Sequence, residues 1–467
     1  MASHRDEDVC WEDIWKTSLS ARTSLRSHET NRTTPRPKAV YSSRDTVYCA
    51  FQATKVVHQA PGDVNTIIQM GQTVIVASAV ADGAVDDTPG AYNEKGSLGV
   101  WDGEQVIILD GHSKDATRSA VHEQRHYFTV NDVASNPNFP TKFVSAGRDN
   151  AVLFWDLEAQ DGLKKYIWER RFRDNPEVVK YQPGGANLAV QCNDGAVYIA
   201  RDDDPVDMHA LIVAQPQHKH VTADMDWGLG LTENHIFASS ACLMDRSGFH
   251  RGFDIVKGKA VMTFDAGEQA CSTMTMDPFG DNLYIATEGA DSNYALRCYD
   301  VRHRSKNKAA EQYVDLEPFA GIPAQGDTDI NCLSVSSDGI YIAAGRTDNR
   351  LDVYDTRMLT RGALYNFSHE DGGLIETDSY GVVKVQWVDS VPYGTGFLSG
   401  GVDGCVRLWD MKYAGDDPRN GEVLVRCDYD VATFTLGNMY EGEAPIVVGE
   451  RSGKVTVFGY QKADSWD

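Results

Sequence analysis

Eight times along this chain a short apolar run comes to a stop on an aromatic–acid pair or a worn version of one. The endings are VWD (100–102), FWD (154–156), IAR (199–201), GFD (252–254), CYD (298–300), VYD (353–355), LWD (408–410) and VFG (457–459). Their spacing is about 45 to 55 residues, a period at which a chain builds repeated supersecondary units rather than one continuous sheet. The best-preserved copy is FLSGGVDGCVRLWDMK (397–412), two apolar runs either side of a Val-Asp-Gly turn. Alternating apolar and small residues over such lengths read as strand, and Asp-Gly between them reads as a hairpin turn.

Three further runs belong to each copy. Earlier strands include FVSAGRDNAV (143–152) and IVVGERSGKV (446–455). Before them stand YFTVNDV (127–133), STMTMDPFG (272–280), INCLSVSSDG (330–339) and VVKVQWV (382–388). After the endings come EQVIILD (104–110), KAVMTFD (259–265) and EVLVRCD (422–428). Each unit is therefore expected to hold about four antiparallel strands. One such unit cannot bury both of its faces, whereas a closed ring of them can. The last unit lacks a fourth strand after Tyr460, and TVYCAFQATKVVHQ (46–59) is an orphan ahead of the first unit. Pairing these two ends closes the ring and leaves no open sheet edge. The expectation is all-β: one closed propeller of seven to eight four-stranded blades over 46–461, after an N-terminal helix and basic linker (1–45) and before a short tail (462–467).

This pattern resembles the WD-repeat (WD40) propeller family over most of the chain. Two units carry that family's buried hydrogen-bonding set: His112, Ser145, Asp149 and Trp155, then His369, Ser399, Asp403 and Trp409. In such a set the turn Asp bonds the His, and Ser links the His to the indole N–H, so that each buried polar group is satisfied. Ser368 replaces the usual Gly before His369, and Arg201 and Gly459 replace the terminal Asp in two other units.

Just past three successive endings stands a cation. Asp300 is followed by Arg302, Asp355 by Arg357, and Asp410 by Lys412. A guanidinium there sits at one rim of the ring, within reach of carboxylates or backbone carbonyls. The first two steps are similar to the WDxR box of substrate receptors for cullin-4 ubiquitin ligases. That resemblance implies that Arg302 and Arg357 face the ligase's propeller-built adaptor, while the opposite rim selects a substrate protein. Tyr299 and Tyr354 stand where that family has Trp. Receptors of this kind add an N-terminal docking helix, and 7–27 places Trp11, Ile14, Trp15 and Leu19 on one helical stripe. The same stripe can instead pack on the chain's own body.

Other chemistries find little support. HEQRH (122–126) spells the H-E-x-x-H of zinc peptidases, but His122, Glu123 and His126 lie beside a strand, with no helix to hold both His on one face. No phosphate-binding glycine loop and no nucleophile elbow is present. Nine dispersed cysteines without a CxxC pair fit a reducing compartment. A net charge of −24 opposes broad nucleic-acid binding. The basic cluster RHRSKNK (302–308) reads as an exposed loop. The expectation is a monomeric, non-catalytic scaffold of cytoplasm or nucleus, without cofactor, metal or membrane contact. Its partners would be proteins, with nucleic acid reached only through them. A subunit of a chromatin, RNA-processing or trafficking complex that holds a histone or other basic peptide is the alternative to a ligase receptor.

Overall fold

The computed structural model describes residues 51–80, 93–115, 125–159, 166–185, 187–201, 204–215, 220–242, 244–265, 269–288, 294–303, 306–316, 329–369, 381–391, 394–414, 417 and 420–460. The expected N-terminal helix, with Trp11, Ile14, Trp15 and Leu19, lies outside these residues, as do His122 and Glu123. Arg125 and His126 fall in a short strand that pairs with Ser113–Asp115. No helix among the described residues is long and apolar enough to cross a membrane.

The ring has eight blades. Blade 1 spans 64–108, blade 2 130–171, blade 3 176–212, blade 4 221–265, blade 5 270–315, blade 6 330–368 and blade 7 384–426. Blade 8 takes three strands from 431–460 and its outermost strand, Phe51–Gln59, from the other end of the chain. That strand runs antiparallel to Lys454–Tyr460, from Phe51 opposite Tyr460 to Gln59 opposite Lys454. The choice between seven and eight blades is thus decided by a blade made of both chain ends.

Each of the eight apolar clusters is shared by two neighbouring blades. Ile75, Leu98 and Val100 of blade 1 pack with Phe143, Leu153 and Trp155 of blade 2. Phe367 of blade 6 packs with Trp387, Phe397 and Trp409 of blade 7. Val57 and Val457 of blade 8 meet Val64 and Val76 of blade 1. The core is therefore a circle of interfaces, which is why the repeat cannot stand alone. Side chains of the first strands cross the same seams. Asp132 accepts Thr66 Oγ1 at 2.9 Å and the Val179 N–H at 3.0 Å, and burial pushes its carboxyl up to about 6 against those bonds. Trp227 Nε1 donates to Lys180 O, and Trp387 Nε1 to Ser334 O.

Blade 4 departs from four strands. Its outer strand, Lys259–Asp265, also pairs in parallel with Asn307–Ala309 from the third-to-fourth-strand link of blade 5. Lys308 is buried there. The basic cluster 302–308 is therefore not one exposed loop, because its end is used to join two blades.

Candidate protein-interaction surfaces

In an antiparallel four-stranded blade, the turn after the first strand and the turn after the third share one end. The turn after the second strand and the link to the next blade share the other. The ring consequently has two rims of different make, called here the turn rim and the mouth.

The His–Ser–Trp–Asp sets secure the mouth. In blade 2, His112 bonds Asp149 Oδ1 through Nδ1 and Ser145 Oγ through Nε2, both at 2.8 Å, and Trp155 Nε1 donates to the same Oγ at 2.8 Å. In blade 7 the matching distances are 2.9, 2.6 and 2.7 Å for His369–Asp403, His369–Ser399 and Trp409–Ser399. Arg407 Nε adds a bond to Asp403 at 2.8 Å. Burial holds His369 below the ordinary histidine range, against the pull of Asp403. The turns themselves need a left-handed residue, supplied by Asn150 (φ 63°) in blade 2 and Gly404 (φ 67°) in blade 7. Other blades meet the same need differently. In blade 4, His250 Nδ1 meets Ser239 Oγ at 2.8 Å. In blade 6, buried Arg346 bridges Asp348 and Asp352 at 2.8 and 2.7 Å.

On the turn rim, the terminal acids are buried caps. Asp300, Asp355 and Asp410 each accept the backbone N–H two residues on, at 2.9 Å. Asp254 does the same for Val256. Arg302 and Arg357 then fold back onto their own acids. Arg302 Nη2 lies 2.6 Å from Asp300 Oδ2, and Arg357 Nη2 lies 2.6 Å from Asp355 Oδ2. These bonds, ahead of any charge effect, pull both carboxyls below their ordinary range. The arginine side chains remain 47% and 65% exposed, while their acids are 7% and 8% exposed. The Lys412 ammonium stands 5.6 Å from the Tyr413 ring centre. The same rim carries exposed apolar side chains that sequence reasoning missed. Leu231 and Phe279 stand in the first turns of blades 4 and 5, and Val256 and Met358 in the third-strand turns of blades 4 and 6. A Cβ on Gly339 would come within 2.7 Å of the Phe279 ring, so that ring lies across the blade 5–6 boundary.

At the mouth, a cavity of about 570 Å³ opens on the ring axis. Its wall repeats a feature of the strands. The first strands of blades 1, 2, 3, 6 and 8 break register at their second residue, Asn65, Asn131, Glu177, Asn331 and Ala432, and that of blade 5 at its third, Ser272. A bulge re-aims the unpaired residue, and five of these six line the cavity, together with Val383 just ahead of blade 7. Asn65, Asn131 and Asn331 each spend their amide nitrogen on a carbonyl of the next blade, Val130, Pro176 and Val382. Asp63, Glu177 and Arg148 add charge to the lining. Burial raises the Glu177 carboxyl, partly offset by Arg148. In the sequence, three of these positions show only as an asparagine near the start of an inner strand.

The family model described as WD domain, G-beta repeat matches residues 103–156, 319–355 and 380–410. The chain is an eight-bladed propeller that carries WD40 repeats. It is 25% identical over 394 residues to Rik1-associated factor 1 of Schizosaccharomyces pombe (strain 972 / ATCC 24843), an alignment covering 75% of this chain. The chain spans 56% of that relative's length. Among solved structures, the Dos1 propeller superimposes with a TM-score of 0.69 at 17% identity, covering 88% of this chain and 95% of that one. The computationally designed Ika8 protein does so with a TM-score of 0.58 at 12% identity, covering 88% and 100%. Both likenesses concern the fold.

Proposed function

We propose that this chain is a non-catalytic scaffold subunit of a nuclear or cytoplasmic protein complex, and that its mouth takes a basic protein segment such as a histone tail. The observation that carries this reading is the bulge-built cavity. Three asparagine amides, Asp63 and Glu177 supply acceptors, against one arginine, on a chain of net charge −24. Complementary charge of this kind steers and selects a cationic partner. The Schizosaccharomyces pombe relative is itself called an associated factor, which agrees with a role inside an assembly. The test is binding of a labelled basic peptide to the full chain at rising salt. Binding that weakens with salt and falls about tenfold in Glu177→Gln with Asn131→Ala is expected. Binding unaffected by both changes ends this reading.

A second reading rests on the turn rim. Arg302 and Arg357 are exposed on adjacent blades, on the same rim as exposed Leu231, Phe279 and Met358. An arginine and aromatic surface of that kind suits a protein interface. The WDxR resemblance makes the cullin-4 adaptor its candidate partner, with Trp11, Ile14, Trp15, Leu19 and Lys412 as further contacts. Pull-down of the adaptor by wild type, and its loss in the Arg302→Ala, Arg357→Ala double variant, is the expected result. Equal capture by both proteins would remove the receptor role.

A further inference from the structure

Blade 4 lacks the His–Ser–Trp–Asp set, yet a related group occupies its mouth end. In blades 2 and 7 the link histidine bonds the turn aspartate directly. In blade 4 the link residue His220 bonds the second-strand Ser240 Oγ through Nδ1 at 3.1 Å. Its Nε2 meets Ser247 Oγ at 3.2 Å, and the turn acid Asp245 stands beyond that hydroxyl, bonded to it at 2.6 Å. Cys242 follows the second strand of blade 4 directly and opens the same turn. A ring nitrogen of His220, the Cys242 sulfur and a carboxylate oxygen of Asp245 all lie within 4.8 Å of one another.

We propose that His220, Cys242 and Asp245 bind one zinc ion, with water in the fourth position. One nitrogen, one thiolate and one carboxylate form a donor set that suits zinc. Calcium and magnesium, which take oxygen cages, are disfavoured by the sulfur and the imidazole. Zinc–ligand bonds of about 2.0 to 2.3 Å put tetrahedral ligands roughly 3.5 Å apart, so the group needs to contract by only about 1 Å. The ring is already oriented. It stacks on Phe249, centres 5.0 Å apart. Ser240 Oγ, which receives the Phe249 N–H at 2.9 Å, can accept the Nδ1 proton and leave the Nε2 lone pair to the metal. The loop is closed by the Cys242 N–H to Ser247 O at 2.7 Å and the Arg246 N–H to Cys242 O at 3.0 Å. His220 and Cys242 are buried and Asp245 is exposed, so an ion enters from the carboxylate side. Binding releases the thiol proton to solvent, and thiolate plus carboxylate balance the dication. The ion would join the blade 3–4 link to the blade 4 turn, the same two elements that the His–Asp bond joins in blades 2 and 7. No metal was expected from the sequence, because the ligands sit on separate segments and fit no motif spacing.

The test uses the full chain, freed of metal and titrated with Co²⁺ and then Zn²⁺. About one equivalent is expected, with a thiolate-to-cobalt charge-transfer band that Zn²⁺ abolishes. Cys242→Ser should lose the band, and Asp245→Asn, an exposed change that leaves the core intact, should weaken binding at least tenfold. His126→Ala should change nothing. A wild-type chain with no charge-transfer band, or a band that survives in Asp245→Asn at unchanged affinity, overturns the site.

Discussion

The third strand of blade 7 is held at both ends, and the two ends are held differently. At the mouth, Ser399, Trp409, His369 and Asp403 form a dry cluster in which each bond depends on the next. At the turn rim, Asp410 closes a tight turn and Lys412 reaches toward solvent. Blades 5 and 6 repeat the second arrangement with arginine. The difference teaches that burial, rather than residue type, separates what holds the blade from what the blade can show to a partner. The same acid–cation chemistry is a core brace at Arg346 and a surface fork at Arg357.

The largest effect is expected from Ser399→Ala. It strips a partner from both the Trp409 indole and the His369 ring inside the core, and should cost about 3 kcal/mol in urea unfolding. A cost below about 1 kcal/mol would make the two ends of the strand equivalent and break the contrast. Nearly as large is the acid response of His250, which burial holds down to about 4. A depressed histidine binds fewer protons folded than unfolded between pH 6.5 and 4. Its contribution is therefore whole above about pH 6.5 and is lost as pH falls toward 4, by up to about 3 kcal/mol. His250→Gln should flatten that part of the stability–pH curve. Asp355→Ala should cost about 1 kcal/mol, since it opens one buried turn cap without emptying the core. Arg357→Ala should leave the unfolding midpoint where it was and act only on partner capture. A clear drop in midpoint there would make the fork structural and remove the distinction between the rims.

Much of this fold is legible locally. The eight endings, the turn residues Asp149-Asn150 and Asp403-Gly404, and the alternation around them mark the strands, because period-two burial and hairpin chemistry involve neighbours in the chain. The two complete hydrogen-bonded sets are legible for the same reason, as is the orphan strand whose partner is Lys454–Tyr460. The rims are less so. The Asp-x-Arg steps can be read, but not the closure of each fork onto its own acid, nor Leu231 and Phe279 exposed on the same rim. Those depend on how turns of adjacent blades abut.

By itself the sequence determined a ring of four-stranded units closed by its two ends, because no unit can bury both faces alone. Only the tertiary structure decided what the mouth contains. A bulge exists only relative to the strand it pairs with, so Asn65, Asn131, Glu177 and Asn331 become one wall once the ring has closed. His220 likewise meets Cys242 and Asp245 across a link and a turn of blade 4, through contacts that packing creates and local pattern does not encode.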